Sequence, residues 1–231
     1  MNRFWALVRK ELLEIVGDRK SRQSGLVQGA VFIGLLGVFV PGANTPYWVE
    51  DSPATPLFYA FLPGIAAASI AADAFAGERE RQTLETLLAT PLSEATIVYG
   101  KAFAAIAYGV AIAACGLAVS IVTLNVGAWP YVPSLAMLIG ALGAALASAL
   151  VMASVAIVVS MTIPVARTAH QISWIGSVAI LSAGLGLWNA LGLALTWRNV
   201  AFAEVGFALI GVIVFDIARM LFRRERFFEV T

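Results

Sequence analysis

The richest run of chemically capable residues is Glu78-Arg79-Glu80-Arg81-Gln82-Thr83-Leu84-Glu85-Thr86-Leu87-Leu88-Ala89-Thr90-Pro91-Leu92-Ser93. It offers charged, hydroxylated and leucine side chains, which suit docking. Catalytic types are scarce elsewhere: His170 is the only histidine and Cys115 the only cysteine. Cys115 can form no intrachain disulfide and reads as a small packing residue. His170 reads as a solvated interfacial residue, with haem or metal ligation as the alternative. No Gly-x-Ser-Gly, paired-acid or His-Glu-x-x-His constellation appears, which disfavours an intramembrane hydrolase. Gly100-Lys101 imitates the end of a phosphate loop, but Ala95 stands where its first glycine belongs and Ala102 replaces the magnesium-binding Ser or Thr. The chain is therefore expected neither to bind nor to hydrolyse ATP by itself.

The elements that position these residues follow from composition. Of 231 residues, 60% are hydrophobic and 13% charged, with mean hydropathy +0.87, whereas soluble domains have about 45–50% and about 25%. Charge-free runs cover 23–49, 52–72, 102–166 and 168–197. A spanning helix needs about 20 apolar residues, so the turn clusters Pro41 to Pro46, Pro53 to Pro56 and Asn125 to Pro133 divide the runs into separate spans. The fold class is all-α: a polytopic membrane protein forming a single transmembrane domain over residues 1–231. Its six transmembrane helices lie at about 23–40, 57–76, 96–124, 134–163, 169–187 and 201–221.

Six spans put both termini on one side. All of the 15 Lys and Arg except Arg198 then fall on that same side. The positive-inside rule makes that side cytoplasmic, and Trp48, Trp129, Trp188 and Trp197 form an outer aromatic belt. Asp73, Asp216 and Arg219 sit near inner span ends. Asp216 is expected to pair with Arg219, and Asp73 with a base of the leading helix. With no midplane acid, base or metal cluster, proton- or sodium-driven secondary transport is disfavoured.

The leading segment, residues 1–22, precedes the first span. It collects Phe4, Trp5, Val8, Leu12 and Ile15 on one face, the pattern of an amphipathic helix in the membrane interface. Its acids and bases, and the late start of the apolar run, argue against a cleavable leader. A cytosolic helix packed on a partner is the alternative. Between spans two and three, helix formers run from Glu78 to Ala89, Pro91 stops them, and Ser93 caps the next helix. Leu84, Leu87 and Leu88 share a face of this short helix, which needs a support to stay folded. Small residues recur at Ala136, Gly140, Ala144 and Ser148, and at Ala105, Gly109 and Ala113, as packing faces within the bundle or across a dimer.

Glu78-Arg79-Glu80, the Thr83-to-Ser93 element and Tyr99-Gly100-Lys101 together resemble the signature of type-2 ABC transporter permeases. Val8-Arg9-Lys10-Glu11-Leu12 resembles that family's entry helix. The match departs at Gln82, where the family often carries glycine. The resemblance implies a permease subunit of an exporter in the plasma (inner) membrane. It would dimerise with a second copy or related half and work with two ABC ATPase subunits, with no nucleic-acid partner. ATP and Mg would belong to the ATPase, with no cofactor or metal on this chain. It also implies that Glu78, Arg79, Glu80, Arg81, Thr83, Leu84, Glu85, Leu87 and Leu88 form an ATPase-coupling helix. Trp188, Asn189, Trp197, Arg198 and Glu204 would fall in an outer re-entrant pair of half-helices. A haem-associated cytochrome c maturation subunit and a non-transporting membrane scaffold are the competing readings.

Overall fold

The computed structural model describes residues 3–17, 19–127 and 130–222. Asp18, Trp129, Arg223, Arg224 and Arg226 lie outside them, as do the side chains of Arg19, Lys20, Arg22 and Leu88. The elements are α1 (Arg3–Gly17), α2 (Arg19–Gly34), a π-helical turn (Leu35–Phe39), α3 (Val40–Ala43) and α4 (Thr45–Val49). Then come α5 (Thr55–Glu80), α6 (Leu84–Leu88), α7 (Glu94–Gly127), α8 (Leu135–Thr162), α9 (Ala166–Ala190) and α10 (Trp197–Leu221). No strand forms among the described residues. Six helical stretches are long and apolar enough to cross a membrane: Gly25–Ala43, Thr55–Glu80, Glu94–Val126, Leu135–Thr162, Ala166–Ala190 and Trp197–Leu221.

Helix α5 is the axis of the bundle, packed against α7, α8 and α9. It can be central because its stretch from Gly64 to Gly77 is mostly Ala, Gly and Ser, which lets neighbouring backbones come close. A Cβ on Gly109 of α7 would lie 2.5 Å from the carbonyl oxygen of Pro63, and one on Gly64 would run into Met152 Sδ. The small-residue repeats thus serve contacts inside this chain. Gly140, Ala144 and Ser148 are buried, as are Ala105 and Ala113, although Ala136 is exposed.

The π-helical turn sits where α7 crosses the first span, and Gly37 and Gly116 allow the close approach. Such a turn leaves carbonyls without their usual helical partner. Hydroxyls of α7 satisfy them: Ser120 donates to Leu36 O at 2.9 Å, and Thr123 donates to Gly37 O at 2.7 Å.

Two sequence expectations change at the end of the bundle away from α6. Trp48 is not in an aromatic belt; it is fully buried and packs edge to face on Tyr59, with ring centroids 6.0 Å apart. Trp188 to Glu204 does not form two half-helices. Helix α9 runs unbroken to Ala190 and closes on Gly192 at φ +59°, with Gly192 N–H donating to Asn189 O and Leu193 N–H to Trp188 O. This Schellman closure stops the helix. After an exposed link, the Thr196 hydroxyl accepts from Asn199 N–H and starts α10. Trp188 and Asn189 therefore end one spanning helix, and Trp197, Arg198 and Glu204 begin the next.

Candidate functional site

The charged run divides between two helices. α5 continues through Glu80, so Glu78, Arg79 and Glu80 close the central span, while the separate helix after it covers only Leu84–Leu88. The single helix expected from Glu78 to Ala89 is broken at Gln82, which adopts φ +57°. Gln82 N–H donates to Arg79 O at 3.1 Å and Thr83 N–H to Glu78 O at 2.9 Å, a second Schellman closure, here with glutamine in the left-handed position. This is the position where the sequence departs from the permease pattern it resembles, and the backbone makes the glycine-type turn all the same.

Beyond the turn, Leu84 and Leu87 point inward and are 6% and 7% exposed. They join the buried cluster that includes Leu7, Phe75, Ile97 and Val98. Arg81, Gln82, Thr83, Glu85 and Thr86 are exposed. The leucine face is thus the anchor of α6, and its polar face is left exposed. Ser93 caps α7, accepting from Thr96 N–H at 3.1 Å.

Each residue of Glu78-Arg79-Glu80 ties α5 to a different neighbour. Glu78, 4% exposed, accepts from Lys101 Nζ of α7 at 3.0 Å, and Lys101 reaches Glu11 of α1 at the same distance. Lys10 lies 3.4 Å from Glu78, 3.5 Å from Glu11 and 3.1 Å from Glu14. Burial works against the Lys10 charge, but these carboxylates outweigh it and hold the ammonium above its ordinary pKa. Carboxylate oxygens of Glu11, Glu14 and Glu78 converge within 4.8 Å of one another. Two ammonium groups stand among them, so the cluster is an ion-pair knot in which each buried charge depends on its partner.

Arg79 donates to Ile163 O at 3.2 Å and to Met161 O at 3.3 Å, gripping the end of α8. The Glu80 carboxylate accepts from Ala166 N–H at 2.7 Å and so caps α9. Asp73 pairs with Arg81 at 3.0 Å, not with the leading helix, because the Gln82 turn folds Arg81 back over α5. The pairing of Asp216 with Arg219 is also replaced: Arg219 donates to Tyr99 Oη at 3.3 Å and lies over its ring.

Sequence reasoning misses the knot's basic half. Lys101 is legible only as a loop cation, yet it stands two turns inside α7 beside an apolar run, where a charge requires a buried counter-ion. Between α1, the end of α5 and α6 lies a groove of about 860 Å³, edged by Glu14, Arg81, Thr86 and Thr90.

α1 carries the expected amphipathic pattern in a modified form. Val8 and Ile15 pack inward, Phe4 is half-buried, and Trp5 and Leu12 face outward with Leu13. One side of the helix therefore rests on α7, and the other leaves apolar surface exposed. At the end of the bundle away from α6, Glu204 of α10 lies against Gly143 of α8, Trp197 covers Gly140, and Arg198 is exposed. Tyr131, held by Asn125, has its phenol pushed up to about 12 by burial and then by Asp51. His170 is half-buried near the start of α9.

No curated protein matches this chain. Residues 5–204 match the family described as ABC-2 family transporter protein, a span that takes in the leading helix, the knot, α6 and the first five spans. A six-span bundle with its charged run between spans two and three agrees with that match, and the chain belongs to the ABC-2 transporter family as a multi-pass permease subunit.

Proposed function

We propose that the chain is one half of an ATP-driven exporter, that it dimerises with a second copy, and that two ATPase subunits carry the ATP and magnesium. The basic end faces the cytoplasm of the plasma (inner) membrane, and both termini lie there. The carrying observation is the division of α6: leucines lock it to the bundle, while Arg81, Thr83, Glu85 and Thr86 present a polar surface. A partner pressing on that surface would move α5 through the rigid Gln82 turn, and α5 would move α1, α7, α8 and α9 through the residue pairs of Glu78, Arg79 and Glu80. Wide apolar faces on α9 and α10, including Ile175, Leu185, Val205, Leu209 and Ile213, are open to lipid or to the second copy. Such walls suit an amphipathic or hydrophobic cargo.

The test is the ATPase rate of the reconstituted complex. Glu85→Arg combined with Thr86→Arg should lower permease-stimulated hydrolysis about tenfold, equivalent to about 1.4 kcal/mol of lost coupling, with membrane insertion unchanged. Full stimulation by this variant would reject the docking surface.

A further inference from the structure

At the basic end, the beginning of α7 and the end of α10 meet through Tyr99 and Phe215 and leave space beside that contact. Between them is a crevice of about 540 Å³ that reaches Phe4 of α1 and Leu150 of α8. This volume is within the range of about 300–1,000 Å³ typical of ligand pockets. Its walls are apolar and aromatic. Phe103 stands 6.1 Å from Phe4 and 5.7 Å from Trp5, and Tyr99 stands 4.9 Å from Phe215, measured between ring centroids. Deeper in, Ile106 and Val212 line it.

One charge lines the crevice and an opposite one is held on its Tyr99 wall, and the two do not pair with each other. Asp216 lines the crevice, and among the described residues no ion pair or hydrogen bond reaches it. Arg219 is turned to Tyr99, donating to its hydroxyl at 3.3 Å, with the guanidinium 5.7 Å from the ring centroid. That bond uses one of the five guanidinium donors, so the others remain for an anion. Three residues along a helix place the two backbone positions about 4.5 Å apart on the axis. An unpaired carboxylate beside an apolar crevice at a membrane boundary is costly unless a cation meets it. A cation and an anion joined by a two-carbon linker, attached to an acyl chain, match this arrangement in sign and polarity.

We propose that this crevice binds one phospholipid of the basic-side leaflet bearing a primary ammonium head group, with Asp216 holding the ammonium and Arg219 the phosphate. The acyl chain lies along Phe103, Ile106 and Val212. A primary ammonium donates hydrogen bonds to a carboxylate, which a trimethylammonium group cannot do, and a head group with no cation leaves Asp216 opposed by phosphate. The selectivity is therefore for phosphatidylethanolamine over both phosphatidylcholine and phosphatidylglycerol.

The experiment is native mass spectrometry of the full-length chain, purified and exposed to equal amounts of these three lipids. No ATPase is present, so the result is independent of the proposed coupling. The wild type should retain phosphatidylethanolamine about tenfold over the other two, the scale of one charge-assisted hydrogen bond. Asp216→Asn should bring the three lipids within about twofold of one another. Val212→Trp, which fills the crevice from an exposed position, should lower retention of all three. Equal retention by the wild type, a preference for either other lipid, or a preference that survives Asp216→Asn would each overturn the proposal.

Discussion

Gln82 holds a left-handed backbone at φ +57° that glycine adopts without a Cβ penalty. Gln82→Gly should raise stability by about 0.5–1 kcal/mol and Gln82→Val should lower it by at least as much, read as thermal unfolding in detergent. Lys101 is a different case, with its side chain 1% exposed against Glu78 at 5%. Lys101→Met removes the buried cation between Glu78 and Glu11, leaves them the longer contacts to the more exposed Lys10, and should cost about 3 kcal/mol. Lys101→Met with Glu78→Gln should recover a large part of that loss, because the uncompensated charge goes with its partner. If the double variant is as unstable as the sum of the singles, the knot is not a coupled unit. The sequence shows these charges but not their partners, since Lys101 and Glu11 are far apart in the chain and meet only when α1 folds back across α7.

At the level of elements, close approach of helices decides most of the architecture. Gly109→Ala would drive a methyl group into the Pro63 carbonyl and push α7 off α5, whereas a methyl group on Gly206 of α10 would meet nothing within 4 Å. The first should destabilise the bundle by about 1–3 kcal/mol, and Gly206→Ala should be neutral or stabilising by up to about 1 kcal/mol. Equal effects in thermal unfolding would contradict the packing described. Glu80→Ala removes the acceptor for Ala166 N–H and should cost about 1 kcal/mol at the start of α9. Hydrogen exchange at Ala166 reads that loss locally and should accelerate.

Existence and approximate limits of the six spans are legible in the sequence because a 20-residue apolar run has few other uses. Ser93 is legible as a cap for the same kind of local reason. Two short-range closures are not. The left-handed turn at Gln82 carries no glycine to announce it, so the residue pattern runs the end of α5 and the start of α6 together as one helix. The Gly192 closure is visible as a glycine, but the family resemblance outweighs it and turns a simple helix end into re-entrant structure. Which face of α6 turns inward is ambiguous for a physical reason: a leucine stripe on a short helix serves an anchor and a docking surface equally well, and only the position of α5 decides.

For the whole molecule, orientation and coupling are the properties that function depends on. Cysteine labelling in a Cys115→Ala background should reach Asn44 and Val126 from outside and Thr86 from inside; the opposite pattern would invert the protein. The central claim is that a separate ATPase grips the exposed polar face of α6 while the leucine face stays locked in the bundle. Site-directed cross-linking from cysteine at Thr86 in the assembled complex tests it most directly. The docking face requires cross-linking to the ATPase subunit from Thr86 and none from Asn44 at the other end. An ATPase that cross-links from neither position, or from Asn44 alone, would contradict it.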